Sequence, residues 1–424
     1  MHSAFSIHLR PLTSRDDHLD PAMKKVKRAS IATISSAEFT ARRDRVLRAL
    51  ARDGNAIGLV LAGDADASLS HAWRPNPNFE YLTGITDEPG AMLLLDPNHP
   101  VIARRTQLFL RPLNPELERW DGLRESVGAQ LKDRYGIATI MRTTALARFL
   151  LESAKRAKRF ACLHPLAAHN APNSPDLTIF KESASRIPSA TISDLSHILP
   201  ALRAVKSTAE VACVQHAADI TAIGFQAALA TAKPGKTEFN VQEAVEHAYK
   251  SAGARETAYR TIAGTGFNAT VLHYHANSRA IQAGELLVLD SGASFGGYAA
   301  DVTRTFAVSG TFTPRQKLVY DTVLKAQLAS IRACRPGATM SQVDAAARKV
   351  ITAAGFADNF IHGIGHHLGL EVHDADPGSA LEPGMIVTIE PGIYIQEESL
   401  GVRIEDDILI TRGGAKVLTS AIPK

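Results

Sequence analysis

Four acidic residues stand at matching places in a sequence that repeats itself. GELLVLDSG begins at Gly284 and GMIVTIEPG at Gly384, and each reads glycine, five residues, an acid, one residue, glycine. The acids are Asp290 and Glu390. GYAAD then ends at Asp301 and GVRIE at Glu405, each acid four residues after a glycine, Gly297 or Gly401. The two acids of a copy lie eleven residues apart in the first and fifteen in the second. One acid at the end of a strand is ordinarily a turn residue or a helix cap. Four acids related by a repeat point elsewhere. If the copies pack face to face, four carboxylates converge. Repulsion and desolvation would protonate them unless cations are bound. Hard oxygen donors in this number suit divalent metals, two of them.

Between the two acid pairs lies FIHGIGHHLGLEVHD, with His362, His366, His367 and His373. Gly363, Gly365 and Gly369 oppose a long helix there. The pattern is not H-E-x-x-H, so a helix-borne zinc site is not indicated. NATVLHYHANSRA adds His273 and His275. A lone histidine is usually structural, but a cluster beside a dimetal site favours chemistry.

The elements that must position these residues follow from periodicity. AEFTARRDRVLRALARDG reads as a helix stopped by Gly54. AIGLVLAG, GAMLLLDP and TQLFLRP read as strands, and LTGITDEPG as a turn-rich connection. LLESAKRAKRFACLHP reads as a helix feeding a strand, so this half is α/β. A boundary is expected within Ile192 to Val205. Next come two helices: one opens at Ser207 or Thr208 with Glu210 in its first turn, and the other ends at Gly253. Gly-punctuated strands run to Val308, then a second helix pair and a second strand-rich stretch close the chain. The order helix, helix, strands thus occurs twice. The fold expected is an α/β domain over 34–198, then an α+β domain over 199–424 with an internal pseudo-twofold repeat.

The 424 residues are 45% apolar and 21% charged, which leaves room for two domains. A net charge of +4 is too small to argue for nucleic acid, and no such partner is expected. Cys162, Cys213 and Cys334 are odd in number and far apart, which opposes a disulfide framework and a thiolate zinc site. A reducing cytoplasm is the expected compartment. No apolar run approaches the roughly 18 residues of a membrane span, so no membrane association is expected. Residues 1–33 lack a signal-peptide core, and are expected to form a solvated, disordered tail with a basic cluster at Lys24, Lys25, Lys27 and Arg28.

VLHYHANS, LDSGASFGGYAADVTRTF, HGIGHHLGLEVHD, LEPGMIVTIEPGIY and GVRIEDDILIT resemble, in order, the blocks of the creatinase/methionine-aminopeptidase superfamily of "pita-bread" metallopeptidases. The combination looks most like the Xaa-Pro aminopeptidases (aminopeptidase P), with the prolidases next. NPNFEYLTGITDEPGAMLLLD resembles the N-terminal domain of the former. The resemblance implies five metal ligands: Asp290, Asp301, His366, Glu390 and Glu405. It implies two metals, most often Mn(II), with Co(II) or Zn(II) as alternatives. Asp301 and Glu405 would bridge them. The resemblance also implies a homodimer or homotetramer.

Two such metals can acidify a water between them. Glu390 is then the expected general base, passing its proton to the leaving nitrogen. His273 and His373 are expected to donate to the oxyanion. His362, Arg403, Tyr394 and Tyr259 match family positions around the substrate, with Arg403 orienting carboxylates. Core packing alone remains open for Tyr394. The remaining polar residues have plainer readings. His275 and His367 are ordinary side chains, and Asp406 and Asp407 are acids in a loop or behind the ligands. Asp374 caps a turn, and Arg304 steadies the turn after Asp301.

The substrate expected is a peptide or dipeptide with proline second. Proline enters through the resemblance alone; prolyl bonds lack the N–H that general peptidases use. A dipeptidase is the first alternative, because the loop DADPGSALEP is short. A metal-free creatinase-like protein or binding module is the second, and the complete ligand set opposes it.

Overall fold

The structure is a computed structural model that describes residues 34–65, 73–166, 169 and 172–424. The tail expected at 1–33 lies outside them.

The first helix, α1 (Ser36–Arg52), opens where the Ser35 hydroxyl accepts the Glu38 N–H and ends just before Gly54, as expected. A mixed six-stranded sheet follows: β1 (Ile57–Leu61), β2 (Met92–Leu95), β3 (Thr106–Leu110), β4 (Thr139–Arg142), β5 (Arg159–Cys162) and β6 (Thr191–Asp194). Its order is β4-β3-β2-β1-β5-β6. The helices between are α2 (Pro77–Thr83), α3 (Pro115–Asp121), α4 (Ala129–Tyr135), α5 (Leu146–Ala157) and α6 (Pro175–Ala184). Ile57, Leu59, Phe109, Phe160 and Phe180 form the core on one face, with the last two rings 4.7 Å apart. Each such side chain taken from water contributes about 1.5–3 kcal/mol.

One stretch differs from the sequence reading. LTGITDEPG does not begin as a turn. Its first residues close α2, which starts at an Asn76 cap followed by Pro77 and stops at Gly84 in the left-handed conformation, φ 67°. The segment 192–205, where a boundary was expected, is structured. It holds part of β6 and then α7 (Ile198–Ala204), whose Leu199 and Ala204 are buried.

The remainder is built twice. The first copy has helices α8 (Thr208–Thr231) and α9 (Glu238–Ser251). Its strands are β7 (Ile262–Thr265), β8 (Leu286–Asp290), β9 (Ser294–Phe295), β10 (Tyr298–Ala299) and β11 (Thr303–Ala307). The second has α10 (Pro314–Ala333) and α11 (Met340–Ala353). Its strands are β12 (Ile386–Ile389), β13 (Gly392–Ile395), β14 (Leu400–Arg403), β15 (Asp406–Thr411) and β16 (Gly414–Val417). All four helices open on reciprocal capping boxes, begun by Ser207, Thr237, Thr313 and Thr339. Such caps stabilise a helix by about 1 kcal/mol each. In each copy the helix pair covers its own sheet, with Phe225, Val245 and Leu289 in one core and Val323, Ala347 and Val387 in the other.

The strand pairing explains the spacing of the acids. β8 pairs antiparallel with β11, and β12 with β15. One strand of each pair delivers an acid at its end, and the returning strand begins just after the second acid. The glycine after each first acid also has a reason. A Cβ on Gly292 would stand 1.8 Å from the Ala300 carbonyl oxygen, and one on Gly392 would stand 2.3 Å from the Tyr394 hydroxyl. The two copies are then sewn together at their acids. The Glu405 N–H donates to the Thr303 carbonyl at 3.0 Å, and the Asp301 N–H donates to Asp407 at 3.2 Å.

Candidate metal centre

Asp290 ends β8, Asp301 stands two residues before β11, Glu390 follows β12 and Glu405 precedes β15. His366 comes from a loop that runs beside β12. The loop's register is set by the Thr388 N–H donating to the His366 carbonyl at 2.8 Å, and the Glu390 N–H to Ile364 at 2.9 Å. Only glycine fits at 365, where a Cβ would lie 2.0 Å from the Thr388 carbonyl oxygen. Ligand atoms of Asp301, His366 and Glu405 all lie within 4.8 Å of one another. The other two acids flank this trio. Glu390 approaches His366 Nε2 at 3.5 Å, as does Asp301. Asp290 is joined to Asp301 through the Tyr259 hydroxyl, which lies 2.5 Å from an oxygen of each.

These donors fit divalent cations. Asp290, Asp301 and Glu405 are buried, and Glu390 is nearly so. Among the described residues, the only guanidinium or ammonium paired with any of them is Arg403, 2.6 Å from Asp290. Without further positive charge the acids resist ionisation. Burial, with Asp301 and Asp290 adding to it, pushes Glu390 up to about 7. Burial also raises Asp290 against the pull of Arg403, and holds Glu405 well above the carboxylate range with Asp301 beside it. His366 goes the other way. Burial opposes its charge, but Asp301 and Glu390 outweigh burial and hold it at about 9. Protons thus occupy a site built from metal-ligand chemistry, and cations would displace them.

A cavity of about 490 Å³ opens onto this cluster. His273, His362, His373, Arg403 and Tyr259 line it together with all five candidate ligands. His373 stacks on His366 with ring centroids 3.9 Å apart. Tyr394 stands behind the wall and is more than core packing: its hydroxyl accepts from Arg403 Nη1 at 3.0 Å and lies 2.9 Å from His362 Nε2. Burial drops His362 to about 4, so its ring is neutral. Nδ1–H then donates to the Gly363 carbonyl and Nε2 accepts from Tyr394. His275 also lines the cavity. His367 lies outside the ligand trio, with its Nε2 3.5 Å from Asp376. Asp406 and Asp407 lie behind the ligands, buried at the start of β15.

One plainer reading is corrected and one is extended. Asp374 is not a turn cap. It is buried against Arg203 and Lys206, both also buried, and fixes the loop that carries His373. Arg304 does more than steady the turn after Asp301, where its Nη1 donates to the Thr303 and Glu405 carbonyls. It donates to the Ile422 and Pro423 carbonyls and pairs with Asp406 at 2.7 Å, which ties the C-terminal segment to the site strands. Thr303 and Thr388 escaped the sequence reading. Thr303 donates to Glu405 at 2.7 Å and accepts from Arg403 Nε at 3.0 Å, while Thr388 accepts the His366 N–H at 3.1 Å. Strand periodicity carried the signal: each lies two residues from a ligand acid and shares its face.

Comparison with known proteins covers both halves. Residues 212–412 match the model of metallopeptidase family M24, and residues 39–162 match the aminopeptidase P N-terminal domain. The chain is 33% identical to the Xaa-Pro aminopeptidase of Haemophilus influenzae over 93% of this chain and 97% of that one. It is 38% identical to the Xaa-Pro dipeptidase of Pyrococcus furiosus, over 53% of this chain and 66% of that one. Among solved structures, Pseudomonas aeruginosa aminopeptidase PepP superposes with a TM-score of 0.83 at 31% identity, covering 93% of this chain and 97% of that one. The duplicated half is therefore a pita-bread domain preceded by an aminopeptidase P N-terminal domain. On sequence, architecture and donor set alike, the chain belongs to the M24 metallopeptidases of the aminopeptidase P type.

Proposed function

We propose that the protein is a metal-dependent Xaa-Pro aminopeptidase that removes the first residue of a peptide when proline follows. The observation that carries this reading is the five-donor cluster, assembled from both copies of the repeat in a chain that matches Xaa-Pro aminopeptidases end to end.

Asp290, Asp301, His366, Glu390 and Glu405 would hold divalent cations, Mn(II) in the first instance. Bound cations supply Lewis acidity, polarising the scissile carbonyl and acidifying water. Glu390 takes the proton of the attacking water and returns it to the prolyl nitrogen as the C–N bond breaks. His273 and His373 donate to the developing oxyanion. Arg403 holds Asp290 and Tyr394 in place, and neutral His362, braced from behind by Tyr394, forms the wall against which the proline ring packs. The substrate's free amine is drawn to the acidic end, at Asp290 and Tyr259. The three cysteines are buried, and their odd number and wide spacing in the sequence support a reducing, cytoplasmic setting. A homodimer or homotetramer is the assembly inferred from the family.

A dipeptidase is the competing reading. The matched N-terminal domain and the full-length relatedness to aminopeptidases favour the longer substrate. Turnover of Ala-Pro, Ala-Pro-Ala and longer peptides with added Mn(II), Co(II) or Zn(II) decides the matter. We expect the tripeptide and longer peptides to be cleaved after the first residue. Glu390→Ala should lower kcat by about 10²–10⁴-fold with the fold retained. Cleavage confined to the dipeptide would make the protein a prolidase, and substantial activity in Glu390→Ala would remove that residue as the base.

A further inference from the structure

A second cavity of about 280 Å³ adjoins the first. Val372 lines both, and the chain neighbours Ala258 and Tyr259 line one each. Its far wall comes from the N-terminal half, from Arg74 to Glu80. Glu80, on α2, is only 8% exposed and lines the cavity. Among the described residues its carboxylate has no hydrogen bond and no ion pair. The cations around it are engaged elsewhere. Arg74 donates to the Gly297 carbonyl at 3.3 Å and sits 3.4 Å from Glu256. Arg203 is taken by Asn78, Glu371 and Asp374. The site is also kept clear: a Cβ on Gly297, which has φ 84°, would stand 2.1 Å from Glu80 Oε1. A largely buried carboxylate that faces a cavity with no protein donor is open to one supplied by a ligand. Burial pushes it up to about 6, so it is mostly charged at neutral pH.

The position of the pocket names what would complete it. On the aminopeptidase reading, on which this inference rests, the free amine lies at Asp290 and Tyr259 and the proline ring at His362 and Tyr394. The first residue's side chain then leaves on the Tyr259–Val372 side. We propose that this second cavity receives the side chain of the substrate's first residue, and that Glu80 selects lysine or arginine there. An ammonium or guanidinium supplies the missing charge-assisted hydrogen bond, and Glu371, which also lines the pocket, adds a second acid.

The test compares kcat/KM of the metal-loaded protein on Lys-Pro-Ala, Arg-Pro-Ala, norleucine-Pro-Ala and Ala-Pro-Ala, for wild type and Glu80→Gln. Norleucine matches lysine in reach and lacks the charge. Wild type should favour lysine over norleucine by about tenfold or more. In Glu80→Gln the ratio should fall to near one, with Ala-Pro-Ala turnover unchanged. A wild-type ratio near one, or a preference that survives Glu80→Gln, overturns the proposal. So does a collapse of Ala-Pro-Ala turnover in the variant, because Glu80 would then support the site as a whole. If wild type cleaves none of the four peptides, the aminopeptidase reading itself fails, and this proposal with it.

Discussion

At the scale of residues, the metal site is a charge problem that the protein solves in one direction only. Glu390 at about 7, with Asp290 and Glu405 also raised, binds protons more tightly in the folded, metal-free protein than in the unfolded chain. A group raised in this way stabilises the fold fully below its unfolded pKa, and the gain is lost as pH climbs through the folded value. His366, held at about 9, has the same sign. Asp374 and Asp406 are lowered and have the opposite sign, with a window below the ordinary carboxylate range, and His362 at about 4, with His367 and His373 also lowered, opposes the trend up to the ordinary histidine value. The melting temperature of chelated protein should therefore fall between about pH 7 and about pH 9, above the window of the lowered histidines. Metal-loaded protein should not follow, because cations bind the deprotonated ligands. A chelated protein that grows more stable across that window would contradict the charge assignment. Identity at this scale was legible in the sequence: the repeat alone picked out the four acids. The partners were not. Thr303, Thr388 and the Lys206–Asp374 pair acquire their roles only when distant segments meet.

At the scale of elements, the site depends on two strand pairs that each bring two acids to one end. Gly292 sets that approach in the first copy, because nothing larger fits against the Ala300 carbonyl. Gly292→Ala should push the segment bearing Asp301 away from β8, cost about 2 kcal/mol or more, and weaken metal binding. Calorimetric titration with Mn(II) beside a melting curve checks both. Unchanged affinity with unchanged stability would show that the backbone there has room to give. Long capped helices and alternating strands were readable in advance because their signals are local. The short helices α2 and α7 were not. α2 contributes Asn78 and α7 contributes Arg203, buried polar residues that pair with each other across distant segments. Periodicity does not report such residues, and a short helix has too few turns to display a face.

At the scale of the whole molecule, duplication explains both the symmetry of the site and its dependence on correct folding. Each copy offers two acids, and neither copy completes the donor set. The seam is held by Glu405 to Thr303, Asp301 to Asp407, and Arg304 to the C-terminal segment. The N-terminal half adds a wall that the duplicated half lacks: Arg74 and Glu80 close the second cavity, and Asn78 braces Arg203. The cluster itself carries the chemistry, and the account stands or falls on its metals. The most direct measurement is Ala-Pro-Ala hydrolysis by chelated protein during stepwise return of Mn(II). We predict no turnover after chelation and full recovery near about two equivalents. Turnover that survives chelation, or a reconstituted protein that leaves the tripeptide intact, would contradict the account.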